Sequence, residues 1–322
     1  MERDLTILAG EIDHQLETRS ELTSILAELS LLAEVYRQTH FLDPHYTREA
    51  QEASTRRFPY VRRFVRGDIS FRFLIANLEG RAWYEPDLLA VSQECPELVR
   101  MCSPGDRVLE IGSHHGFTGT LLAHCGQPDV TVLGLECHPG CALIARAQTL
   151  LNGCERRLRF VNAAGSDRPG SVEISLSAGA GLVETDRPTG VSIPAVPGDL
   201  IDRRIGPISY LKIDVEGYEM QVLRGCRSIL SRAPKLALEL HMDQLPRYGA
   251  SVQEVLDGIG VERYEGTMLV RADSGTAQDV LRPFDRNAIP HSGVANLFLS
   301  PRIVPSPLDP LPGGTSSAPQ LA

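Results

Sequence analysis

A chain of 322 residues, 42% hydrophobic and 23% charged, has the apolar material for a full core, divided into one large domain or two smaller ones. A net charge of −9 argues against a general nucleic-acid binder, which carries a basic field. No apolar run approaches the roughly 18–20 residues of a membrane span, and the opening MERDLTILAGEIDHQLE has no signal-peptide core. Seven scattered cysteines, an odd number, fit a reducing cytoplasm better than a disulfide framework.

Between Glu21 and Tyr36 the residues Leu22, Ile25, Leu26, Leu29, Leu32 and Tyr36 recur at helical spacing, and Thr18 with Glu21 forms a capping box before them. This helix is expected to pack on its own domain, with a homodimer contact as the alternative. Residues 55–66, TRRFPYVRRFVR, interleave five arginines with aromatics. They read as a solvated face whose arginine stems cover apolar surface, with a grip on an anionic substrate or nucleic acid as the sharper alternative. A mixed segment ending in a helix follows, so residues 1–100 are expected to form a mostly helical extension.

Beyond residue 104 the pattern turns regular. Apolar runs recur at 107–112, 130–136, 158–164, 208–214 and 235–240, with helix-like stretches near 117–125, 139–151, 218–230 and 251–259. Such alternation predicts a mainly parallel α/β sheet with helices on both faces over 101–300. Residues 171–196 read as a β-excursion, and runs at 262–270 and 294–299 as antiparallel strands at the far edge. The Pro-, Gly- and Ser-rich tail, 301–322, is expected to be disordered.

VLEIGSHHGFTG sets Gly112, Gly116 and Gly119 between a strand and a helix, a turn that lets backbone approach a ligand closely. It is not G-x-G-x-x-G, because His114 takes the central glycine position. Glu110 ends the first strand, and Glu136 ends the second, where nucleotide-binding α/β folds hold ribose hydroxyls with a carboxylate. Cys137, His138, Cys141 and Cys154 lack the paired spacing of a zinc site, so no metal ligands are assigned. LKIDVEGYE (211–219) begins as a buried strand and ends among carboxylates, either a wet strand rim or the floor of a site.

LKIDVEGYEMQVLRG resembles the K-I-D-V-E-G signature and V-L-x-G helix of FkbM-type S-adenosylmethionine-dependent methyltransferases, VNAAGSD resembles their N-A-A segment, and PKLALELH their following strand. The chain departs from the family at His114, where an asparagine is usual, and at Cys137, where proline is common. The resemblance implies a Rossmann-like class I methyltransferase fold, S-adenosylmethionine as cofactor and a hydroxyl on a small molecule, sugar or natural product as acceptor. A divalent metal is compatible with such chemistry but not indicated. Together with the glycine turn, the resemblance assigns cofactor binding to Glu110, Gly112, Ser113, Gly116, Glu136, Asn162 and Ala163. Strand ends in such sheets face the ligand crevice, so Asp214 and His241 are the candidate catalytic residues, with Glu239 orienting His241 as base. A nicotinamide-dependent oxidoreductase and a binding protein without chemistry are the alternatives.

Overall fold

The computed structural model describes residues 58–175, 182–183, 191–270 and 280–302. The helical stripe between Leu22 and Tyr36, its dimer contact, and the tail from 303 lie outside the described residues. What is described of the expected helical extension opens instead with a β-hairpin, β1 (Tyr60–Arg66) paired antiparallel to β2 (Ile69–Ile75). The period explains it: Phe64, Phe71 and Phe73 alternate inward while the paired Arg63 and Arg72 face out, and alternation of this kind specifies a half-buried strand. Arg62 lies over the Phe64 ring, its guanidinium 5.1 Å from the centroid, which matches the solvated arginine face. Three short helices follow, α1 (Leu78–Tyr84), α2 (Leu88–Val91) and α3 (Glu94–Met101). Asn77 caps α1 by accepting the Gly80 N–H.

The main body runs β3 (Arg107–Ile111), α4 (Phe117–Ala123), β4 (Thr131–Glu136), α5 (Pro139–Asn152) and β5 (Leu158–Asn162). An excursion, β6 (Ala164–Gly165), β7 (Gly170–Ser175), β8 (Leu182–Val183) and β9 (Val191–Val196), forms a small separate sheet. The chain returns through α6 (Gly198–Ile205), β10 (Tyr210–Ile213), α7 (Glu219–Arg224), α8 (Arg227–Ser231), β11 (Lys235–His241) and α9 (Val252–Ile259). It closes with β12 (Tyr264–Val270), β13 (Val280–Pro283) and β14 (Val294–Pro301).

The large sheet has the order β13-β12-β14-β11-β10-β3-β4-β5, parallel from β11 through β5 and antiparallel at β14. The two late runs therefore become strands at the far side, as expected, with β14 inserted between β11 and β12. From β3 the chain steps outward to β4 and β5, and later fills the other side with β10 and β11. The gap between β3 and β10 is thus the switch point, outside which an open α/β sheet binds its ligand. Both faces of the central strands are apolar and covered: Leu109, Ile111, Leu211 and Ile213 pack with Val222 and Leu223, while Val108 and Tyr210 pack with Leu122, Ala145 and Phe160.

Candidate active site

A cavity of about 580 Å³ opens above the switch point, lined by the ends of β3, β4, β10 and β11 and by α1. Gly112 starts the loop after β3 with φ 87°, and a Cβ there would stand 1.7 Å from the Asp214 carbonyl oxygen. Only glycine permits both the left-handed backbone and this approach to β10. Glu136 ends β4 and is fixed from two sides, its Oε2 accepting the His114 N–H (2.6 Å) and its Oε1 the His138 N–H (2.7 Å). Burial raises its pKa against those two hydrogen bonds.

Glu110, Gly112, Ser113, Glu136 and Ala163 all line the cavity, as do Asp214, Glu239 and His241. Gly116 and Asn162 act from behind. Gly116 turns left-handed at the head of α4, where a Cβ would strike Phe160. The Asn162 Nδ2 donates to the carbonyls of Glu136 and Cys137 and so holds the turn after β4.

The floor is an ion-pair chain. Lys212, in the middle of β10 and 4% exposed, is in register with Glu110 and donates from Nζ to Asp214 Oδ2 at 2.9 Å. Burial disfavours its charge, but the carboxylates of Asp214 and Glu110 more than compensate and raise its pKa. Burial likewise works against the Asp214 carboxylate, yet Lys212 and His241 hold it below the usual range. Glu110 is the reverse case: burial outweighs Lys212 and pushes it up to about 7.

His241 ends β11. Its Nδ1 is paired at 2.8 Å with Oε1 of fully buried Glu219, which also accepts the Gly217 N–H at 3.1 Å. The Nε2 faces Glu216 (3.5 Å), Asp214 (3.9 Å) and Glu239 (4.0 Å). Burial lowers the imidazole pKa, but the Glu219 hydrogen bond and the three carboxylates override it and lift it to about 9. Ligand atoms of Asp214, Glu239 and His241 lie close enough to share a metal ion, but Lys212 and the His241 proton already place positive charge among them. Glu216 holds φ 52°, a strained turn that presents its carboxylate beside Nε2.

The opposite wall was not legible from spacing. His114, also left-handed at φ 49°, pairs through Nε2 with Glu79 Oε1 (3.1 Å) and through Nδ1 with the Tyr84 hydroxyl (2.7 Å). His115 lies beneath it, fully buried, with its ring stacked on that of His114 (centroids 4.1 Å apart). Lys212 was the one overlooked residue with a sequence signal, a lone cation inside YLKI two positions before Asp214.

The comparisons bear on this site. The chain matches the methyltransferase FkbM domain over residues 87–264, more than half its length, and it belongs to that family. The span begins after α1, so Glu79 and Tyr84 lie outside it. Solved structures with similarity include a putative rRNA-methylase from Clostridium thermocellum (9% identity, TM-score 0.41, covering 66% of this chain and 97% of that one). An Aeropyrum pernix fibrillarin with natively bound S-adenosyl-L-methionine shares 15% identity (TM-score 0.40, covering 76% and 85%). An S-adenosylmethionine-dependent O-methyltransferase from Thermotoga maritima shares 14% (TM-score 0.37, covering 67% and 71%). A comparison with curated proteins finds no match.

Proposed function

We propose that this chain transfers a methyl group from S-adenosylmethionine to a hydroxyl of a neutral or cationic small molecule, sugar or natural product. The observation that carries the reading is the charge of the cavity wall. Its lining residues include seven carboxyl groups against one lysine and two histidines, His114 and His241, with no arginine. That set suits a cofactor bearing a sulfonium and an ammonium, and opposes the pyrophosphate of a nicotinamide dinucleotide. Ser113 Oγ, buried in the same wall beside the Glu110 carboxyl, adds a polar atom to the lining.

When bound, the cofactor supplies an electrophilic methyl; the residues of the chain must hold it, align the acceptor and take up a proton. Glu136, immobilised by two backbone N–H groups, is placed to accept ribose hydroxyls. Asp214, clamped by Lys212, is placed to hold the acceptor hydroxyl, and alignment of this kind supplies much of the acceleration. A methyl taken by the hydroxyl oxygen would leave its sulfur as a neutral thioether when the C–S bond breaks, and the hydroxyl proton would pass to the neutral His241 Nε2, whose ring is locked by Glu219. At neutral pH the resting imidazole holds its proton, but further positive charge in the cavity opposes that proton and favours the neutral base.

The test is incubation with cofactor carrying a labelled methyl and a metabolite extract, then identification of the labelled product. Asp214→Asn and His241→Gln should retain cofactor binding and lose about 10²–10⁴ in rate. Stabilisation by NAD but not by S-adenosylmethionine would reject the reading, as would variants that turn over like wild type.

A further inference from the structure

We propose that Glu79, His114, His115 and Cys141 bind one divalent transition-metal ion, of which zinc fits the donors best. The site shares the cavity wall through Glu79 and His114, but none of its four side chains takes a role in the methyl transfer proposed above, and metal binding is read out without that activity. Its four side chains come from three segments: α1, the loop after β3, and the first turn of α5. One ligand atom from each lies within 4.8 Å of all the others. Tetrahedral zinc, with bonds of about 2.0–2.3 Å, requires its ligand atoms roughly 3.3–3.6 Å apart. The Glu79 carboxylate stands 3.1 Å from His114 Nε2 and 3.9 Å from His115 Nε2, on either side of that spacing.

The independent sign is His115. Its ring is completely buried, and neither nitrogen has a hydrogen-bond partner among the described residues. An imidazole buried in this way is costly unless something takes up its polarity, and a metal ion is such a partner. His114 adopts a strained left-handed backbone, and its Nε2 and that of His115 meet the two oxygens of the one carboxylate; the rings stack within 14° of parallel, so binding of a shared ion turns one of them about its Cβ–Cγ bond to bring both nitrogens onto it. Tyr84 holds the far nitrogen of His114, the outer contact that orients a ligating histidine. The charges close as well: one carboxylate, one thiolate and two neutral imidazoles balance a divalent ion, leaving a neutral centre suited to burial. Mixed nitrogen, sulfur and oxygen donors select zinc or cobalt over magnesium or calcium. The ion would staple α1 and α5 to the loop whose His114 N–H holds Glu136.

The experiment uses the untagged full chain, stripped with chelator and titrated with cobalt(II). A single equivalent should bind with a thiolate-to-cobalt charge-transfer band, and zinc should displace it. His115→Gln and Cys141→Ala should each weaken binding at least tenfold, and Cys141→Ala should abolish the band, whereas Cys154→Ser should change neither. The wild-type spectrum tests the site even if a variant fails to fold. No stoichiometric binding, a band that survives Cys141→Ala, or binding lost in Asp214→Asn instead would each overturn the assignment.

Discussion

Replacing Glu136 with glutamine removes one of the two acceptors that hold the backbone at His114 and His138, along with the charge proposed to meet ribose. A hydrogen bond to a charged group contributes about 1.5–3 kcal/mol, so calorimetry should show cofactor affinity falling by at least tenfold. The His241 prediction concerns pH. Its pKa rises from 6.5 to about 9 on folding, so its stabilisation is complete below pH 6.5 and is lost as pH climbs through 9. A shift of this size corresponds to roughly 3 kcal/mol. Denaturant unfolding of wild type and His241→Gln should therefore converge between pH 6.5 and 9. Ring resonances followed by NMR should show the wild-type imidazole titrating near 9, and lower when S-adenosylmethionine is added.

At the scale of elements, the hairpin β1–β2 matters because Phe64, Phe71 and Phe73 converge on Phe117, and Tyr84 stacks on the same ring. Phe117 opens α4 directly behind the two histidines, so the aromatic cluster sets the height of the cavity wall. Phe73→Ala should cost about 3–5 kcal/mol in denaturant unfolding and weaken cofactor binding too; loss of stability with unchanged affinity would separate the hairpin from the site. The strands of the main sheet were legible because continuous apolar runs with acidic ends have few other readings. Asp214 and His241 were legible in the same way, as ends of such runs, and Glu239 from its place two residues before His241 on one strand face. The hairpin was concealed by arginines whose alternation looks like a charged surface until a partner strand is seen. Glu79 and Tyr84 carry no periodic signal, since what defines them is contact with residues far along the chain, whereas Glu219 stands in the acidic stretch LKIDVEGYE and only its pairing with His241 was hidden.

For the whole molecule, the described sheet ends with β14 at Pro301, and Arg302 donates to the Arg263 carbonyl. Removing residues 303–322 should leave the melting temperature and methyl transfer unchanged. Removing residues 294–322 should unfold the far half of the sheet, because Leu297 and Phe298 are fully buried and both β11 and β12 lose a partner. Circular dichroism melts of the two truncations check both outcomes.

That placement of β14 also orders events in time. As the polypeptide leaves the ribosome, β3, β4 and β5 can assemble early, and with them the carboxylate that ends β4. The strand bearing Glu239 and His241 emerges later and waits with one edge bare until the segment pairing with it has been synthesised. Nascent chains should thus acquire the β3–β5 side of the cavity before the side formed by the end of β11. A pause between β11 and β14 would expose a sticky strand margin, the natural point of engagement for a chaperone.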